Sequence, residues 1–71
     1  MMDRAIQEVI ANADAHRDGT PDLPGLLEEV AELSAALIGD HEHTPVYELI
    51  QIGGIAINWL RAYYRADMVR G

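Results

Sequence analysis

From Pro45 to about Val69 the sequence reads as one helix of ~25 residues that is apolar on almost every side. Ile50, Ile52, Ile55, Ile57, Trp59 and Leu60 point in nearly every direction around its axis. The polar stripe is narrow and holds Gln51, Asn58, Arg61 and Arg65. A helix of this kind is stable only where it is buried on most sides. The chain has 71 residues in all. The remainder has room for two further helices, too few to surround the third. The sequence therefore predicts a single all-α domain over residues 1–71, three helices long, whose bundle is completed by homo-oligomerisation. There is no cysteine, so disulfides and thiolate metal sites are excluded as alternative staples.

The first helix is expected over Met2–Ala15. Ile6, Val9, Ile10 and Ala13 follow i, i+3, i+4, i+7 spacing, and Arg4 and Glu8 form a possible i, i+4 pair on the other side. His16 follows it as a C-terminal residue suited to the helix dipole. Gly19 and Pro21 mark a break. A second helix is expected over Leu23–Ile38, with Asp22 or Thr20 as N-cap, Pro24 tolerated in the first turn and Gly39 as the stop. Its apolar stripe is Leu26, Val30, Leu33 and Leu37. A short loop, Asp40 to His43, makes the second and third helices an antiparallel hairpin. Thr44-Pro45 gives an N-cap followed by proline at the first helical position. Gly53-Gly54 lies inside the third helix, where each glycine costs roughly 1 kcal/mol relative to Ala. Close approach of another helix or a ligand is the expected compensation.

The charge balance narrows the partners. Twelve acidic residues against five basic ones, all Arg, give a formal charge of -7. That argues against duplex nucleic acid, whose phosphates need a basic surface. No signal-peptide pattern is visible, and the apolar run near Leu49–Leu60 is interrupted and too short to span a bilayer. A cytoplasmic protein without a membrane partner is the expectation.

The chemistry-bearing residues are acidic. LLEEVAEL, Leu26–Leu33, sets Glu28, Glu29 and Glu32 within about 100° of arc on one helix. YELIQIGGIAIN, Tyr47–Asn58, sets Glu48, Gln51 and Asn58 on one flank of the next. Antiparallel packing puts Glu32 level with Gln51, Glu29 with Gly54 and Glu28 with Ile55, and leaves Glu48 about a turn from Glu32. Carboxylates converging from facing helices are how a helical protein holds a magnesium ion. The opposing reading is a solvated face. Glu28 and Glu32 lie roughly 150° from the middle of the apolar stripe.

EExxE followed after a dozen or more residues by ExxD, with an Asn seven positions beyond the Asp, is the pattern of the all-α nucleoside triphosphate pyrophosphohydrolases, the MazG-like group, which this chain resembles with its second element reading ExxQ. The matching residues are Glu28, Glu29, Glu32, Glu48 and Asn58, and the resemblance covers roughly Leu26–Leu60, about half the chain. It implies a helical bundle completed as a dimer or tetramer and Mg2+-dependent cleavage (Mn2+ as a possible substitute) of a nucleoside triphosphate between its α and β phosphates. By the resemblance Glu28, Glu29, Glu32 and Glu48 are metal ligands, with Glu29 or Glu32 orienting the attacking water, and Asn58 contacts the nucleotide. Arg61 and Arg65, one and two turns on, are added here as phosphate contacts, against the alternative of solvated arginines. Gln51 stands where the family has an Asp. An amide oxygen is neutral and binds magnesium more weakly. A second reading follows from it: a non-catalytic oligomeric interaction or nucleotide-binding module.

Other candidates are weaker. His41 and His43 have the spacing of a zinc or nickel pair, but no third ligand is fixed by sequence. Trp59 reads as core or interface and Tyr63-Tyr64 as the bundle end. No Ser-His-Asp spacing, P-loop or glycine-rich fingerprint is present.

Overall fold

Each helix begins where a short polar side chain can accept from its free N–H groups. Asp3 accepts from Ala5 N at 2.9 Å, Asp22 from Gly25 N at 3.2 Å and Thr44 from Tyr47 N at 3.2 Å. In a computed structural model these caps open α1 (Arg4–Ala15), α2 (Leu23–Leu37) and α3 (Pro45–Arg70). The structure describes residues 3–17, 22–39 and 42–70, with side chains through 66. Among them the secondary structure is all helical. α1 starts at Arg4, with Asp3 as its cap, rather than at Met2. The expected break at Gly19 and Pro21 lies outside the described residues. Gly39 follows α2 with φ +76, the left-handed turn that glycine adopts without strain.

α3 is the axis of the fold. α1 and α2 each pack on it, and their described residues do not pack on one another. The result is a single layer, 46 × 34 × 15 Å, with a Cα radius of gyration of 13.6 Å. A compact chain of this length would have a radius near ~11 Å.

α1 approaches α3 at the two glycines. A Cβ on Gly53 would lie 2.9 Å from Val9 Cγ1, and one on Gly54 would meet the Asn12 side-chain oxygen and lie 3.3 Å from Ala13 N. The mid-helix glycines are thus compensated by a neighbouring helix of the same chain. α1 also presents Val9, Ile10 and the fully buried Ala13 to this contact, while Ile6 at its start is exposed.

α2 is turned differently from its hydrophobic pattern. The stripe it offers α3 is Gly25, Glu29, Glu32 and Ala36, small residues at the ends and glutamates between. Gly25, Glu29 and Glu32 are partly buried, and Ala36 is buried. Of the expected apolar stripe, Leu26 and Leu33 are partly buried, but Val30 and Leu37 are exposed, Leu37 at 66%.

The described core is correspondingly thin. Its buried apolar residues are two alanines, Ala13 and Ala36. Leu23, Leu27, Val30 and Leu37 on α2 face outward at heptad-like spacing, as do Leu49, Ala56, Leu60 and Tyr63 on α3. The accessible surface is 5424 Å². A folded monomer of 7.8 kDa is expected to expose about 4,400 Å². The layer therefore leaves about 1,000 Å² more surface open than a self-contained monomer of its mass.

Candidate functional site

The inward turn of α2 brings Glu29 and Glu32, one helical turn apart, against Glu48 in the first turn of α3. One carboxylate oxygen from each of the three lies within 4.8 Å of the others. Glu48 is 0% exposed, the largest fully buried side chain among the described residues. Its Oε1 is 3.3 Å from His43 Nδ1. The His43 ring stacks on Tyr47 at 4.3 Å between centroids, beside its contact with Glu48.

Three carboxylates so close cannot all be ionised cheaply. Glu29 takes the strain. Burial first, then the charge on Glu32 and the nearby Glu48, push its carboxyl up to about 7. Its Oε2 is buried and, with the carboxyl ionised, accepts no hydrogen bond. Protonated, the same carboxyl can donate to Glu48 or Glu32. A divalent cation relieves the same crowding by another route, since hard oxygen donors from three carboxylates suit Mg2+ or Mn2+. The residues present therefore fit such an ion.

The other expected site residues fall elsewhere. Glu28 is exposed and lines a shallow acidic cleft of about 290 Å³ with Asp22, Gly25, Leu26, Glu29 and Ile55. It stands beside the three-carboxylate cluster and not in it. Gln51, a turn beyond Glu48, is partly buried.

Asn58 faces α1. Its Nδ2 donates to Ala13 O at 2.8 Å and to His16 O at 3.2 Å, two carbonyls at the end of α1, of which Ala13 O also accepts from His16 N at 3.1 Å. Its Oδ1 accepts from Arg61 Nη1 at 3.1 Å. Arg61 Nη2 pairs with Asp14 at 3.0 Å, and Arg17 Nε reaches the same Asp14 oxygen at 3.2 Å. Burial acts to raise the Asp14 carboxyl, but the hydrogen bonds and charges of the two guanidinium groups outweigh it and hold the group below its ordinary 3.8. Arg65 is exposed and stands at the same end, where Arg17, Asn58, Arg61, Tyr64 and Arg65 line a cleft of about 340 Å³.

The site residues thus form two groups, one facing α2 and one facing α1. Glu48 and Arg61 are 13 residues apart on α3, which is about 20 Å of helix. Sequence reasoning missed Asp14, Arg17 and the placement of His43. The first two sit at i, i+3 across the end of α1, Asp14 in its last turn and Arg17 in the turn that follows, a spacing that suggests only a local pair. Nothing local indicates that Asn58 and Arg61 come to meet them. The spacing of His41 and His43 suggests a histidine pair, but His41 lies outside the described residues, and His43 turns to Glu48.

No helix among the described residues is long and apolar enough to cross a membrane. No family model, curated protein or solved structure gives a significant match to the chain.

Proposed function

We propose that the chain is one subunit of a homodimer or homotetramer in which α2 and α3 form an antiparallel hairpin and Glu29, Glu32 and Glu48 hold a divalent cation, Mg2+ or Mn2+. The activity proposed for it is hydrolysis of a nucleoside triphosphate between the α and β phosphates, giving a nucleoside monophosphate and pyrophosphate, as the MazG-like pattern in the sequence implies. The observation that carries the metal centre is the orientation of α2, which turns two glutamates toward a third, fully buried one while leaving leucines in solvent. Burying acids in preference to leucines costs several kcal/mol unless something neutralises them.

A bound ion would supply neutralisation of phosphate charge and a positioned water. The chain's own residues divide the remaining tasks. Glu29 or Glu32 orients the water and accepts its proton, and Glu48 anchors the cluster from α3. Glu28 at the rim of the adjoining cleft is a further ligand available to an ion that keeps open positions. The oligomer is supported by the outward apolar stripes of α2 and α3 and by the excess exposed surface. An interface of roughly 1,000 Å² per subunit is in the range of permanent homodimers.

A second reading has its own support. The cluster has no arginine beside it among the described residues, since Arg61 is held at Asp14 about 20 Å along α3. With the neutral Gln51, this favours a non-catalytic oligomeric module that binds a cation or nucleotide without cleaving it.

The deciding experiment is pyrophosphate release from a panel of nucleoside triphosphates with Mg2+, Mn2+ or EDTA. Metal-dependent release that is lost in Glu32→Gln is the expected result. A folded, oligomeric, metal-binding protein that releases nothing from any of them would refute the hydrolase and leave the binding module. Unchanged ion binding in Glu32→Gln would refute the metal centre itself.

A further inference from the structure

The arginine-lined cleft between α1 and α3 has a composition at odds with the rest of the chain. The formal charge is -7, yet three of the five basic residues, Arg17, Arg61 and Arg65, line this one space. Among the described residues the single carboxylate paired with them is Asp14, and one of its oxygens serves both Arg17 and Arg61. Arg65 has no hydrogen bond or ion pair among the described residues. Among the described residues three guanidinium groups stand against one carboxylate, so the described lining of the cleft is positive.

The cleft is also pre-organised. Arg61 is tied on one side to Asp14 and on the other to Asn58 Oδ1, and Asn58 is in turn fixed to the carbonyls that end α1. A guanidinium held in this way presents its remaining N–H groups without the entropy loss of ordering a free side chain. Tyr64, at the same wall, offers a hydroxyl donor. Planar forks of this kind match the paired oxygens of a phosphoryl group.

We propose that this cleft is a metal-independent site for a phosphoryl oxyanion, separate from the carboxylate cluster, with Arg61, Arg65 and Arg17 as the groups that contact the anion and Asp14 and Asn58 as the groups that position Arg61. Glu48 is turned toward α2 and Arg61 toward α1 on the same helix, so the two sites do not share a ligand within one chain. The proposal does not rest on the cluster holding an ion.

Titration calorimetry of the full chain with sodium pyrophosphate, in EDTA at fixed ionic strength, tests it. Saturable binding is expected, weakened at least ~10-fold in Arg65→Gln, as loss of one charge-assisted contact implies, and unaffected in Glu48→Gln. Arg65 is exposed, so circular dichroism of that variant should match the parent; Arg17→Gln gives an independent second loss. A nucleoside monophosphate titrated in parallel separates the sources of the phosphoryl group, tighter binding assigning the site to nucleotides and weaker binding to inorganic anions. Heats indistinguishable from sodium chloride at the same ionic strength would overturn the proposal. So would unchanged affinity in both arginine variants, or binding that needs Mg2+ and disappears in Glu48→Gln.

Discussion

Replacing Glu29 with Gln should make the metal-free protein more stable, not less. The substitution keeps the shape of the side chain and removes the charge that Glu32 and Glu48 oppose. The wild-type carboxyl is pushed from 4.5 to about 7 in the folded chain. At 1.36 kcal/mol per unit that shift amounts to about 3 kcal/mol, and partial exposure to solvent screens it to about 1–2 kcal/mol. The sign follows from proton binding. Between pH 4.5 and 7 the folded state holds a proton that the unfolded state has released, so wild-type stability falls as pH rises through this window and stays low above it. Glu29→Gln has no such proton to lose. At pH 8 in EDTA the variant should therefore melt about 5–10 °C higher than wild type, given 4–8 °C per kcal/mol for a domain of this size. At pH 5 the gap should shrink to about a quarter of that, because most of the linkage is still ahead on the pH axis. Melts followed at 222 nm, at equal chain concentration, measure both. Magnesium should raise the wild-type melting temperature at pH 8, and by much less in the variant, because an ion that binds only the native state stabilises it by mass action. A variant that melts at or below wild type at pH 8, or a gap that does not close toward pH 5, would refute the account of three crowded carboxylates.

Further expectations rest on other contacts. Asn58→Ala removes the donors to Ala13 O and His16 O and the acceptor for Arg61, and should cost about 1–3 kcal/mol in urea denaturation while leaving magnesium affinity unchanged; a matching loss of ion binding would mean the two ends of α3 are coupled. Gly54→Ala gains up to ~1 kcal/mol of helix propensity but drives a methyl into Asn12 and the α1 backbone, so a net destabilisation of about 1–2 kcal/mol is expected, and a higher melting temperature would show that α1 does not sit as close as described. Leu60→Asp, on the outward stripe of α3, should shift sedimentation at micromolar concentration toward a smaller species; a wild-type chain that already sediments as a folded monomer would remove the oligomer from the proposal.

The inverted orientation of α2 has a physical consequence for how such a chain folds. A lone layer of three helices with two buried alanines has almost no hydrophobic stabilisation of its own. At ~25 cal/mol per Å² the leucines that are left exposed are worth far more covered than open. The acids can sit inward where their burial is offset by a proton on Glu29, by a cation, or by coverage of the leucines in the proposed oligomer. Folding, assembly and ion binding are thus expected to be linked, with each raising the others' apparent stability.

The sequence by itself determined the elements. Asp22, Thr44-Pro45 and Gly39 are local signals, because a cap or a left-handed turn depends on residues within one turn of it, and the bounds of α2 and α3 follow. The all-round apolar character of α3 required cover on most of its sides but did not say which helices supply it; α1 and α2 both pack on it, and Leu49, Leu60 and Tyr63 stay exposed. The acid cluster was legible as a spacing of Glu28, Glu29, Glu32 and Glu48, but not as an arrangement. Hydrophobic periodicity placed Val30 and Leu37 inside and the glutamates opposite them, because such a pattern says which face of a helix is buried, not whether the covering surface belongs to the same chain. Tertiary structure alone decided that α2 turns its glutamates inward, that Glu28 falls outside the cluster, that Gly53 and Gly54 admit α1, and that Asn58 and Arg61 bind the end of α1 across more than 40 residues of sequence. Those outcomes depend on rotation about helix axes and on long-range hydrogen bonds, which no local stretch of sequence encodes.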